Sequence, residues 1–314
     1  MKVSRWSRRG INMKTCIVLA LAILPALGAL AANPSESPAS PPAYPPGPLG
    51  EMVKLGEDIV MHTNTHPLSR DLVGSKLTCA SCHVNGGKTN ASGASFIGTA
   101  AIFPAFSARE GVVLTLQDRN ANCFMRSMNG TRPPIDGQVS VAIAAYITWL
   151  SEGTPIKMNP GRPVNWRYSS DWPNKELVAR MKHATNATYL HGHEVYLARC
   201  AACHGDNGQG TAAAPPVWGN DSSNAGAGVS HLPTMASWIE HNMPPGDAKL
   251  LPQEIADVTI YIDAQPRPAF DLKKHLPEGA SYNAKVLDEH STVRSNFTNF
   301  GLDIDAIRGD QSAE

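Results

Sequence analysis

Two pentapeptides carry the most specific chemistry in the chain: Cys79-Ala80-Ser81-Cys82-His83 and Cys200-Ala201-Ala202-Cys203-His204. Two thiols one helical turn apart can add to the vinyl groups of a porphyrin, and the next imidazole can ligate its iron. This is the attachment pattern of c-type haem. A zinc knuckle or redox dithiol uses similar residues, but two such segments with matching downstream spacing favour two covalently bound haems c. Each iron then needs a sixth ligand or an open position opposite His83 or His204. In the second unit Met243, in "HNMPPG", is the preferred ligand, because Pro244 stiffens the loop that presents the thioether. Met235, in "LPTMASWI", competes, although its helix-like context suits core packing. His241 lies on the wrong side of the spacing, and His191 and His193 precede the motif and read as surface or core residues. A His/Met pair raises the reduction potential, which suits an exit haem.

Cys123 has no obvious partner. His83 lies 40 residues before it, and His204 lies 39 before Met243, so Cys123 stands where the first iron expects its sixth ligand. A thiolate there would lower the potential and is also a nucleophile. The alternatives are a buried inert cysteine, with Met125 or Met128 as ligand, or an intermolecular disulfide. Arg109 and Arg119 lie 14 and 4 residues before Cys123, and Arg126, Ser127 and Asn129 follow it. Arginine forks offer two parallel donors and fixed charge, which suits oxyanions. Arg109 and Arg119 rank above Arg126 for an anion pocket, and Ser127 joins them and Cys123 as a candidate catalytic residue.

These residues need mostly α-helical scaffolding, arranged as two tandem cytochrome c domains. The chain has 314 residues, enough for two domains, with few aromatics, so a bulky cofactor helps to fill each core. A basic start and the apolar run 16–31, containing Cys16, predict a signal peptide over 1–31, with Met13 as an alternative start. "SRRG", 7–10, hints at twin-arginine export, but a cofactor attached outside the membrane calls for an unfolded chain. The mature chain then carries 22 basic and 27 acidic residues, which argues against nucleic acid and against an anionic membrane. A Pro-rich tether spans 32–49, the first haem domain 50–153, a connector 154–176, the second haem domain 177–268, and an extension without periodicity 269–314. Both domains follow one plan: helix, motif, long Gly/Pro loop, candidate ligand, then a helix bearing Tyr146 or Tyr261. Helical spacing is strongest over 55–66, 140–153, 187–200 and 253–265.

The stretch "FPAFSAREGVVLTLQDRNANCFMRSMNG", 103–130, closely resembles the first-haem segment of the dihaem thiosulfate dehydrogenases, periplasmic cytochromes c that couple two thiosulfates into tetrathionate. Arg109-Glu110-Gly111, Leu116, Arg119, Cys123, Arg126-Ser127 and Asn129-Gly130 match the family pattern. The likeness covers about 50–268 and is specific mainly over 79–150. It implies Cys123 as distal ligand of the catalytic haem, Arg109 and Arg119 on the substrate, and Met243 at the second haem. Phe103 and Phe106 replace family tyrosines, "DGQVSV" at 136–141 replaces an acidic stretch, and Asn242 stands where some members have lysine.

The resemblance implies a periplasmic enzyme that passes electrons from thiosulfate to a small acceptor cytochrome or similar redox protein, reversibly, with no stable membrane insertion after signal removal. A plain dihaem carrier gives no reason for the arginine–cysteine cluster. A SoxA-like sulfur-oxidation subunit typically places its cysteine ligand in the C-terminal haem domain, whereas Cys123 is in the N-terminal one. A dihaem peroxidase wants an open or His-ligated site.

Overall fold

The computed structural model describes residues 41–88, 95–156, 174–279 and 286–309. The expected signal peptide with Cys16, the tether before residue 41, and connector residues 157–173 lie outside the described residues, as do 280–285 and 310–314 of the extension.

The first lobe contains α1 (Gly47–His62), the motif turn Cys79–Ser81, a hairpin of β1 (Ala105–Ser107) and β2 (Val112–Leu114), α2 (Leu116–Arg126) and α3 (Gln138–Trp149). The second contains α4 (Lys175–Met181), α5 (Asn186–Arg199), α6 (Ala201–His204), α7 (Leu232–Asn242) and α8 (Pro252–Ala264). After α8 come β3 (Phe270–Asp271), α9 (Leu272–His275), β4 (His290–Ser291), α10 (Val293–Phe300) and α11 (Ile304–Arg308), with β3 and β4 paired antiparallel. Among the described residues no helix is long and apolar enough to cross a membrane.

Each lobe is organised by one helix crossing, and a glycine makes each crossing possible. A Cβ on Gly56 of α1 would meet Ala142 O of α3 at 2.0 Å, with the Tyr146 Cβ at 2.8 Å. A Cβ on Gly192 of α5 would meet Asp257 O of α8 at 2.1 Å, with the Tyr261 Cβ at 2.9 Å. The backbones touch there, and Tyr146 and Tyr261 occupy equivalent places. Val53, Ile59 and Val60 of α1 pack with Ala142, Ile143 and Ile147 of α3. Each such fully buried large side chain contributes about 1.5–3 kcal/mol. The loops after the motifs are then tied back by tyrosine hydroxyls: Tyr146 donates to Gly86 O at 2.8 Å, and Tyr196 of α5 donates to Gly205 O at 2.7 Å.

One helix start lies inside the expected tether. The tether was expected to run to residue 49, but α1 begins at Gly47, because Pro48 in a first helical turn lacks only a hydrogen bond that the turn cannot make. Tyr44 stacks on Trp149 at 4.8 Å, and Trp149 Nε1 donates to Ala43 O, so the end of the Pro-rich stretch is packed. The extension is also packed, against both lobes. Phe270 and Leu272 cluster with Met125 of the first lobe, while Phe297, Leu302, Ile304 and Ile307 enter the core of the second. Its apolar residues sit on short helices joined by turns, which leaves no long period to read.

Candidate functional site

The first attachment turn is set by local capping. Thr78 Oγ1 accepts from Ser81 N at 3.1 Å, and Thr78 N donates to Ser81 Oγ at 3.0 Å. Thr63, buried at the end of α1, accepts the Cys79 N–H at 2.9 Å and donates to its Sγ at 3.3 Å. The His83 ring stacks on Phe96 at 4.0 Å between centroids. In the second lobe the His204 Nδ1–H donates to Pro215 O at 2.7 Å. That bond fixes the tautomer and leaves Nε2 as the ligating nitrogen. Burial pushes the Cys79 thiol up to about 12 and those of Cys82 and Cys200 to about 11. These thiols are held neutral in apolar surroundings.

Cys123 is delivered by α2. Thr115 and Asp118 cap its first turn reciprocally, at 3.1 Å each way, and an acidic residue there also complements the helix dipole. Leu116, Ala121, Phe124 and Met125 face inward, and Cys123 is half-buried. Arg119 lies one turn earlier on the same face, with Nη1 2.8 Å from the Cys123 Sγ. That sulfur is close enough to Cys79 and Cys82 for its charge to add to the upward push on both. It also holds Arg119 above its ordinary value.

Arg109, at the β1–β2 turn, donates from Nη1 to Gly226 O of the second lobe at 3.2 Å and keeps part of its side chain in solvent. Burial, and then the neighbouring Arg126 and Arg119 cations, push it down. Arg126 turns away from Cys123. It is 3% exposed, sits 4.4 Å from the Phe270 ring centroid, and pairs with Glu110 at 3.2 Å and Glu289 at 2.7 Å. Ser127 follows α2, its backbone N–H on Cys123 O. Met125, the alternative ligand, is committed to packing with Phe270 and Leu272, and Met128 is buried. His231, which sequence reasoning did not single out, stands near Arg109 and Arg126. Burial and those cations push it down to about 4.

Met243 follows α7 and lines a cavity with Cys200, Cys203 and His204. Met235 lines the same cavity from within α7 and is 6% exposed, so it forms part of the wall. Ser81 and Cys82 of the first motif, and Leu77 just before it, also line this cavity, so the two sites share a boundary. His191 pairs with Asp257 at 2.7 Å, His193 stacks on Tyr261, and His241 bonds Ser237 O within its own helix.

Paired, partly accessible thiols beside an imidazole, with apolar walls and a sulfur side chain nearby, fit a covalently attached porphyrin. Two such sites on crossed-helix lobes define a dihaem c-type cytochrome. Comparison with known proteins agrees: the family described as SoxA/TsdA, cytochrome c domain matches residues 72–156, and the cytochrome c family matches 189–265. The thiosulfate dehydrogenase of Allochromatium vinosum is 35% identical over 279 residues, covering 84% of this chain and 97% of that protein. The thiosulfate dehydrogenase of Thiomonas intermedia is 35% identical over 247 residues, covering 77% of this chain and 72% of its own. The as-isolated thiosulfate dehydrogenase (TsdBA) structure from Marichromatium purpuratum superposes with a TM-score of 0.61 at 32% identity. That match covers 79% of this chain and 54% of the longer one. The chain belongs to the thiosulfate dehydrogenase family and carries two covalently bound haems c.

Proposed function

We propose that the protein oxidises two thiosulfates to tetrathionate at the first lobe and passes the electrons outward through the second. The observation that carries this reading is the 2.8 Å contact between Arg119 Nη1 and Cys123 Sγ beside the first attachment turn. His83 and Cys123 would hold one haem and His204 and Met243 the other, each haem accepting one electron at a time. Two thiosulfate dianions repel each other, and Arg109 and Arg119 supply fixed positive charge where they must meet. Cys123 is the nucleophile: its thiolate forms an S–S bond with the outer sulfur of one thiosulfate as two electrons leave. A second thiosulfate attacks that adduct, releasing tetrathionate and restoring the thiolate, with no proton consumed or released. Ser127, one turn beyond Cys123, is the polar group assigned to the sulfonate in this reading. The reverse reaction follows from the same steps.

The export segment at 1–31 and the haem chemistry support a periplasmic location, with a small redox protein as acceptor. Stopped-flow visible spectroscopy of the oxidised protein mixed with thiosulfate tests the function. Rapid reduction of a haem band with proportional tetrathionate is expected. No reduction, together with no reoxidation of the reduced protein by tetrathionate, would refute it.

A further inference from the structure

An α-helix leaves its last four carbonyls without helical partners, and whatever accepts that role fixes where the helix end lies. In α2 the end that matters begins at Cys123. Cys123 O takes the N–H of Ser127 and that of Met128 at 3.0 Å, and Phe124 O takes the Gly130 N–H at 2.8 Å. The next two carbonyls reach across to the second lobe. Asn224 Nδ2 donates to Met125 O at 2.9 Å, and Asn224 N donates to Arg126 O at 3.3 Å, a carbonyl also reached by Asn129 N. Asn224 Nδ2 further donates to Asn129 Oδ1 at 3.0 Å.

Asn224 is 0% exposed and part of a buried polar loop whose neighbours Ser222, Ser223 and Ala225 are at most 2% exposed. The loop is braced from behind. Asn224 Oδ1 accepts from Gly226 N and its backbone carbonyl from Ser230 Oγ, while Asn296 of α10 donates to Ala225 O and Ser230 O. Gly226, two residues on, carries the carbonyl that receives Arg109. One loop of the second lobe therefore holds both the helix that carries the sulfur and the arginine expected to face substrate.

We infer that Asn224 is a positioning residue for Cys123: the second haem lobe caps the cysteine helix and so sets the geometry of the first haem site. The inference rests on the reading of Cys123 as the sulfur of that site. Reacting groups tolerate little displacement, and a shift of about 1 Å can cost on the order of a hundredfold in rate. Asn224→Asp keeps the volume and the acceptor for Gly226 N–H. It puts an oxygen where the donor nitrogen faced Met125 O and Asn129 Oδ1.

The test uses the oxidised holoprotein and electron paramagnetic resonance, which distinguishes two low-spin haems by their axial ligands, together with kcat on thiosulfate. Leu177→Ala, a core truncation of the second lobe away from this loop, is the comparator for mere destabilisation. Asn224→Asp is expected to split or shift the first haem's signal, leave the second unchanged, and lower kcat about tenfold or more. Asn224→Ser, which keeps one donor, should fall between parent and Asn224→Asp, and it carries the test if the aspartate variant does not fold. A first-haem signal identical to the parent's, with kcat within about twofold of Leu177→Ala, would overturn the inference. Cys123→Met is run in parallel. If it changes the first haem's signal while the Asn224 variants do not, only the capping role fails; if it leaves that signal unchanged, the ligand reading fails and this inference with it.

Discussion

Removing the cation of Arg126 should unfold the protein at a much lower temperature, for reasons unconnected with substrate. The guanidinium is buried between Glu110, at 3.2 Å, and Glu289, which it grips with two nitrogens at 2.7 Å each. Side-chain exposure is 4% for Arg126 and Glu110 and 20% for Glu289. Arg126→Met keeps most of the volume against Phe270 but leaves two carboxylates without their shared counter-charge. Removing one partner from a buried ion pair costs about 3–5 kcal/mol. For a chain of this size each kcal/mol moves Tm by about 2–4 °C, so the expected drop is roughly 10 °C. Ser107 and Asn122 also donate to Glu110, which offsets part of the penalty at the more buried of the two carboxylates. The double variant Arg126→Met/Glu289→Met, which removes the cation and one of its two carboxylates, should recover part of the loss. Thermal unfolding followed by circular dichroism at 222 nm reads both variants. A drop below about 2 °C for Arg126→Met, or a double variant less stable than the single, would refute the assignment of Arg126 as a structural clamp.

Cys123→Met should retain both haems, as shown by the pyridine haemochrome, and lose thiosulfate turnover; full activity would remove the thiol from the reaction. Met243→His should lower the second haem's reduction potential and leave the first unchanged in a spectroscopic redox titration, because His/Met ligation favours the reduced iron. His231 predicts a pH dependence. Its folded value of about 4 lies below the ordinary 6.5, so between those values the unfolded chain takes up a proton that the folded chain does not. Stability at this site is therefore present above pH 6.5 and is lost as pH falls through 4, by roughly 3 kcal/mol. Urea midpoints measured from pH 7 to pH 4 should fall less steeply in His231→Gln than in the parent.

What could be read from the sequence was local. Cys79, Cys82, His83 and their counterparts in the second lobe form short motifs whose geometry follows from one turn of chain. The near-equal spacings from His83 to Cys123 and from His204 to Met243 reflect a shared plan, and the crossings at Gly56 and Gly192 give that plan its physical basis. Thr115 and Asp118 cap the cysteine helix, an 11-residue element that is not among the four helical stretches read from the sequence. What escaped depends on distant partners. Arg126 reads as a third member of an anion pocket, and its clamp role depends on Glu110 and on Glu289, the latter 163 residues away. Asn224 sits among small polar residues that read as a loop, with no sign that its amide reaches Met125, 99 residues earlier. The extension hid because its anchors Phe270, Phe297, Ile304 and Ile307 are single residues on short elements.

The route of that extension also bears on the order in which the molecule is made. Chains emerge N-terminus first, yet the first lobe is finished by residues that come last: Phe270 against Met125, His275 on Gly130 O, and Glu289 on Arg126. Until those residues are made, the first Cys-x-x-Cys-His segment belongs to a lobe that is still open along its cysteine helix. A premature stop near residue 285 would spare every haem-binding residue and still damage the earliest-made part of the protein.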